Sequence, residues 1–232
     1  MYAKCFKRIL DFVLSLGAMI VLSPVLLVLM IVGAVVMKGN PFFLQPRPGK
    51  KDANGMERKF YLVKLRTMSN ARDSEGNLLP DEQRLGKYGA WLRSTSLDEL
   101  PSLWCIVKGD LAIVGPRPQL FRDMSFMTPE QRRRHDVRPG LTGLAQVNGR
   151  NNITWERKFE YDLEYIDRGI TFLGDMKIIF QTVGKVLKRS DTVREGTVSD
   201  MDFGDWLLSE GKVDEETYRQ KQQEAKELLA TR

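Results

Sequence analysis

The sequence has one histidine, His135, and two cysteines, Cys5 and Cys105, placed 100 positions apart. A lone histidine excludes His-based triads, the HExxH zinc motif and His-rich metal sites together. Two distant cysteines without CxxC spacing provide neither a disulfide framework nor a zinc knuckle, and they suit a reducing, cytosol-facing setting. The chain also lacks GxxxxGK[ST], GxGxxG and GxSxG loops, internal repeats and low-complexity tracts. Chemistry must therefore rest on carboxylates, lysine and arginine, and a fitting metal would be a hard cation that prefers oxygen ligands.

What is present starts with size. The 232 residues, 42% hydrophobic and 28% charged, suffice for one domain with a real core. A formal charge of +6 suits an anionic partner, and nucleic acid, acidic headgroups or phosphorylated substrates all satisfy it.

From Phe12 to Met37 the chain runs 26 residues without a charge, above the roughly 18 that mark a membrane helix. The run is too long for a signal-peptide core and no small-residue cleavage site follows. As a straight helix it would measure roughly 39 Å, enough to span a ~30 Å hydrocarbon core with tilt. Ser23-Pro24 at its middle should kink or break that helix, with Ser23 able to satisfy a freed carbonyl. Basic residues flank both ends: Lys4, Lys7 and Arg8 before, Lys38, Arg47, Lys50 and Lys51 after. The positive-inside rule puts both flanks in the cytoplasm. A kinked span and a re-entrant hairpin both remain open on these features.

The remainder reads as one globular body, mostly helical with a small sheet. Pro41, Pro46, Pro48 and Gly49 predict an exit loop, Lys59 to Leu65 a strand, Asn70 to Pro80 a surface loop, and Leu111 to Val114 a short buried strand or turn. Helical spacing covers Trp155 to Ile166 and Leu173 to Leu187, and Asp214 to Leu229 predicts a charged amphipathic helix. Trp104 and Trp155 fall at core spacing. Arg132-Arg133-Arg134-His135 predicts a basic helix face in solvent, with contact to acidic lipids as the sharper reading.

The chemistry-bearing segment is Ser94 to Trp104. Ser96 and Glu99 match a capping box, but Pro101 favours capping at Asp98, where the proline removes no helical bond. Asp98 and Glu99 would then sit at the positive end of a helix, which favours ionised carboxylates fit to be a nucleophile or a magnesium ligand. Around them, Gln45-x-Arg47-x-Gly49, Lys64-Leu65-Arg66-Thr67-Met68, Gly115-Pro116-Arg117-Pro118 and Arg138 to Gly143 place basic residues in Gly/Pro loops. Arginine's rigid fork matches two phosphate oxygens. A turn residue in a surface ion pair is the plainer reading of Arg117.

In order and spacing, the apolar segment with Ser23-Pro24, QxRxG, KLRTM, SLDELPSLW, GPRP and RPGLTGLAQVNGRN resemble the small monotopic phosphoglycosyl transferases, or bacterial sugar transferases, over about Lys4 to Val193. The resemblance implies an α+β, mostly helical protein of the minimal form. Its parts would be a re-entrant membrane helix broken at Ser23-Pro24 (1–40), a cytosolic catalytic domain with a small sheet and interfacial helices (41–195), and a tail with the amphipathic helix (196–232). It implies a monotopic protein on the cytosolic face of the bacterial inner membrane. The reaction would move a sugar 1-phosphate from a UDP-sugar to polyprenol phosphate, releasing UMP, as the first membrane step of glycan assembly. In it Asp98 attacks the β-phosphate and carries the phosphosugar; Glu99 binds Mg²⁺; Arg117 holds a substrate phosphate; Lys64, Arg66, Gln146, Arg150 and Asp162 complete the substrate site. Membrane lipids, but not nucleic acid, would be partners, and self-association through the C-terminal helix is an alternative to its being simply solvated. The rival readings are a Mg²⁺-dependent membrane phosphohydrolase and a non-catalytic scaffold for glycosyltransferases. No residue set reads as a sugar code, and the tail from Gly196 onward lies outside the matched pattern.

Overall fold

The computed structural model describes residues 2–149, 152–188 and 201–231. After a π-helical turn, Tyr2–Phe6, the apolar run forms α1, Lys7–Val36. The helix continues through Ser23-Pro24 instead of breaking there. Pro24 deprives the carbonyl of Ile20 of its partner four residues on, and Ser23 Oγ donates to that same oxygen at 2.7 Å, which explains the continuity.

Both ends of α1 are fastened to the body. Near its start, Arg8 donates to the carbonyls of Ile106 and Val107 at 2.6 and 2.7 Å, and Asp11 accepts from the Ile113 N–H at 3.2 Å. Near its end, Leu29 and Gly33 are buried, and the Tyr88 hydroxyl donates to Leu29 O at 2.7 Å. Between these anchors, from residue 16 to 28, nothing is buried. Ile20, Val21, Val25, Leu27 and Val28 are exposed there.

Next comes an antiparallel hairpin, β1 (Phe42–Lys51) and β2 (Glu57–Leu65), paired from Phe42–Leu65 to Lys51–Glu57. Of the prolines expected to mark an exit loop, Pro41 precedes the strand, whereas Pro46 and Pro48 lie inside it. Pro46 and Pro48, two apart, share one side of β1, and in a two-stranded sheet that side can be the unpaired edge, where no N–H is needed. Short helices α2 (Asp81–Arg84) and α3 (Lys87–Thr95) lead to a 3₁₀ turn, Leu97–Ser102, and α4 (Leu103–Lys108). β3 (Ala112–Val114) pairs in parallel with β4 (Gly140–Thr142), and between them lie α5 (Phe121–Met124) and a 3₁₀ turn, Gln131–Asp136. Then follow α6 (Leu144–Val147), α7 (Trp155–Asp167), α8 (Phe172–Lys188), α9 (Phe203–Ser209) and α10 (Glu215–Thr231). The α+β, mostly helical character with little sheet stands.

Apolar residues from distant segments build the core: Phe60, Leu62, Ile106 and Leu111 behind the hairpin, and Val114, Leu144, Tyr165 and Ile178 around β3. Phe121, Met124, Trp155, Phe159 and Phe203 join α5, α7 and α9. Trp155 packs as its spacing predicts, whereas Trp104 is 50% exposed. The Arg132–His135 run is not a solvated face. Arg134 and His135 are only 2% and 3% exposed, and Arg132 closes a two-pronged pair on buried Glu57 at 2.9 and 2.6 Å. A 3₁₀ turn aims adjacent side chains in different directions, so a run of like charges need not share one face.

Candidate active site

The site begins with a chain reversal. Ser96 adopts φ +56°, and its N–H caps α3 on the carbonyls of Leu92 and Arg93. No side chain caps the following turn. The expected N-caps at Ser96 or Asp98, and the dipole argument built on them, are therefore replaced by a tight 3₁₀ turn, within which Pro101 sits. Ser102 Oγ donates to Val63 O at 2.8 Å, stitching this turn to β2 one residue before Lys64.

The stitch brings separate motifs together. Lys64 Nζ from β2 lies 2.8 Å from Glu99 Oε1, and Arg117 from the loop after β3 lies 2.5 Å from the same oxygen. Burial alone would raise the Glu99 carboxyl, but Arg117 and Lys64 outweigh it and hold it well below the usual carboxylate range. Burial lowers Lys64, against the pull of Glu99. Asp98 stands beside this trio. Burial raises its carboxyl, opposed first by Lys64 and further by Arg117 and Arg93. Its ionisation thus depends on neighbouring cations.

The Arg117 loop is held by two other arginines. Arg134 donates to Arg117 O at 2.6 Å while paired with Asp162 at 2.6 Å, and Arg47 donates to Pro118 O at 3.1 Å. Burial lowers the Arg47 pKa to about 10, and burial raises the Asp162 carboxyl against Arg134. Close backbone crossing also shapes the loop, since a Cβ on Gly140 would lie 2.1 Å from the Gly115 nitrogen and one on Gly143 2.1 Å from the Gly115 oxygen.

Two cavities flank the trio and share Arg117 and Gln146. The larger, about 250 Å³, is mostly apolar, with Leu100, Leu103, Ile113, Leu141, Ile179 and Val183 in its wall, and Glu99, Arg117 and Lys185 are its charged members. The other, about 160 Å³, is polar, with Arg47, Asp123, Lys158, Asp162 and Asp202 in its wall. Both amide atoms of Gln146 and the Oδ1 of Asp162 are shut from solvent without a hydrogen-bond partner, an arrangement that invites a polar ligand.

The bacterial sugar transferase family model matches residues 2–189. The chain belongs to that family. This sugar transferase is 47% identical over 186 residues to a Bacillus subtilis protein named as an uncharacterized sugar transferase, EpsL, covering 78% of this chain and 87% of that one. It is 32% identical over 191 residues to a Caulobacter vibrioides UDP-glucose:undecaprenyl-phosphate glucose-1-phosphate transferase, covering 78% and 69% respectively. A Klebsiella pneumoniae protein of the same name is 37% identical over 188 residues, 78% of this chain and 40% of its own length. Membership makes the chain an enzyme of the phosphoglycosyl transferase class and sets the scaffold reading aside.

Of the residues expected in the sugar transferase's site, Lys64, Asp98, Glu99 and Arg117 meet, Gln146 lines both cavities, and Asp162, paired with Arg134, lines the polar one. Arg66 follows β2, bonds through its backbone N–H to Pro41 O at 2.7 Å and, like Lys64 and Asp98, lines neither cavity. Arg150 lies outside the described residues. Sequence reading missed Asp123, Arg134 and Lys158. Arg134 was hidden in a basic run, and Asp123 and Lys158 sit in stretches that carry no motif. Among the described residues no group of three His, Cys, Asp or Glu forms a metal cage. Lys64 and Arg117 both engage Oε1 of Glu99. One or two carboxylates supplemented by ligand phosphates are the usual Mg²⁺ donor set, so the site fits such an ion.

Proposed function

We propose that this enzyme transfers a sugar 1-phosphate from a UDP-sugar to polyprenol phosphate, the first membrane step of a bacterial glycan, through a covalent intermediate on Asp98. The observation that carries the reading is the Asp98–Glu99 pair beside Lys64 and Arg117, with Glu99 in the wall of the apolar cavity and Arg117 shared by the apolar and the polar one. The relatives named as UDP-glucose:undecaprenyl-phosphate transferases support the substrates.

In the first step an Asp98 oxygen attacks the β-phosphorus of the donor, the bond from that phosphorus to the bridging oxygen breaks, and UMP leaves with the electron pair. An oxygen of polyprenol phosphate then attacks the same phosphorus, and the Asp98 carboxylate departs. Splitting one displacement into two lets a single nucleophile serve two substrates in turn. The Arg117 fork, fixed through its own carbonyl by Arg134, holds donor oxygens, and Lys64 neutralises charge gained at phosphorus. Mg²⁺, held by Glu99 and the donor's diphosphate, would supply electrostatic stabilisation of the phosphates. The polar cavity takes the donor. The apolar one takes the start of the prenyl chain, and its Val183 lies on α8 in an exposed stripe with Leu173 and Phe180.

A re-entrant, monotopic seat on the cytosolic face is part of the same reading. A helix fastened to one body at Asp11 and again at Leu29, with a bare apolar middle centred on Ser23-Pro24, suits a dip into one leaflet. The basic flanks support a cytoplasmic position for both ends.

Incubating the protein with UDP-sugars, with and without polyprenol phosphate, tests the function. Lipid-linked product is expected; sustained UMP release without lipid would favour the phosphohydrolase, and no turnover with any donor would sink the proposal.

A further inference from the structure

We infer that the C-terminal segment, through Met201 and Asp202, forms the wall of the donor site that reads the sugar; this rests on the assignment of the polar cavity to the donor. The family match ends at residue 189, yet Met201 and Asp202 line that cavity together with Arg117, Gln146 and Asp162. Residues outside the shared region therefore complete a site whose other walls are shared.

The segment is held rigidly enough to act as a template. Trp155 Nε1 donates to Met201 O at 3.2 Å, and the Phe203 N–H donates to Asp123 Oδ1 at 2.8 Å. The second oxygen of Asp123 accepts the Leu120 N–H at 2.9 Å. One carboxylate, 1% exposed, thus bolts the C-terminal segment to the loop that carries Arg117. Arg122 pairs with Asp202. Phe203 is buried against Trp155 and Phe159, with ring centroids 5.2 and 5.0 Å apart. Gly204 lies so close to Phe126 that a Cβ there would come within 2.5 Å of its ring.

Two kinds of group line the cavity. Arg47, Arg117 and Lys158 suit a diphosphate. Gln146 and Asp162 offer unpaired, buried polar atoms, and Asp202 faces the same space with a carboxylate. A hydroxyl both donates and accepts, so a polyhydroxylated ring meets that set. Met201 supplies apolar surface for its carbon face. A site that hydrogen-bonds a substrate hydroxyl discriminates far more sharply than one that only fits a shape. Asp202 is therefore the stronger determinant and Met201 the weaker.

The test measures UMP release by the full chain, with polyprenol phosphate present, from pairs of UDP-hexoses that differ at one carbon. Asp202→Ala should change the ratio of kcat/KM between epimers by about tenfold or more. Met201→Ala should change it a few-fold, and inhibition by UMP should stay as in the parent for both. Unfolding midpoints near the parent's, expected for surface-proximal positions such as half-exposed Met201, keep the comparison among folded proteins. A uniform fall for all sugars with unchanged ratios, or a shift in UMP inhibition without a shift in ratio, would overturn the inference. If the parent itself releases no UMP from any UDP-sugar, the proposed function has failed instead, and this inference falls with it.

Discussion

Glu99 and Glu57 are assembled from similar parts, each a glutamate held by two basic side chains. Arg132 grips both oxygens of Glu57, and His135 Nδ1 stands 3.4 Å away. Arg117 and Lys64 crowd onto one oxygen of Glu99. The surroundings differ. The Glu57 side chain is 1% exposed and that of Glu99 14%, and only Glu99 has a second carboxylate and a cavity beside it. A charge cluster closed on itself holds a conformation, whereas one with a reactive neighbour and open space is equipped for chemistry.

Variants should separate the two. Asp98→Asn, at the open cluster, should lose on the order of 10⁴-fold or more of turnover with the unfolding midpoint unchanged, because the Asp98 side chain caps nothing. Glu57→Ala, at the closed one, should cost about 1.5–3 kcal/mol of stability by removing the partner of Arg132, while protein that remains folded turns over normally. Loss of turnover in folded Glu57→Ala protein would break the comparison. Arg117→Lys keeps the charge but loses the two-pronged grip, and kcat/KM should fall about a hundredfold with stability unaltered. An equal rate with lysine would place the phosphate clamp elsewhere.

The smallest effect is one of pH. Burial lowers His135 from its ordinary 6.5 to about 4, only partly opposed by Glu57. Between those values the unfolded chain binds a proton that the folded one refuses, so stability should fall as pH drops through this window, by no more than about 3 kcal/mol. Thermal unfolding from pH 7 to 4 checks this, and His135→Gln should flatten the slope. Glu57, held far below the usual carboxylate range by His135 and Arg132 against burial, begins to add its loss as pH falls through its ordinary value of 4.5 and continues to lower pH.

Much of the open cluster was legible because its members sit in short motifs with unusual backbone: Arg117 between prolines, Asp98-Glu99 ahead of Pro101, Lys64 in an alternating strand. The closed layer was not. Arg132 to His135 read as a solvated run because nothing local reveals that Glu57, 75 residues earlier, takes Arg132. Pro46 and Pro48 read as loop because a strand's free edge is a tertiary fact. The dock of Phe203 onto Asp123 spans 80 residues without a motif at either end. The long α helices and β2 were legible from apolar periodicity, and α1 ran through its proline because Ser23 replaced the missing partner of Ile20.

The central claim is that Asp98 becomes covalently bonded to the phosphosugar, and trapping it is the direct measurement. The protein is mixed with UDP-sugar in the absence of polyprenol phosphate, UMP is quantified at early times, and the peptide containing Asp98 is weighed by mass spectrometry. The account predicts one UMP per enzyme in a burst, a phosphosugar mass on that peptide, discharge of the adduct on adding polyprenol phosphate, and none of these in Asp98→Asn. UMP that appears only when lipid is present, with no adduct on the Asp98 peptide, would contradict it and leave direct transfer between two bound substrates.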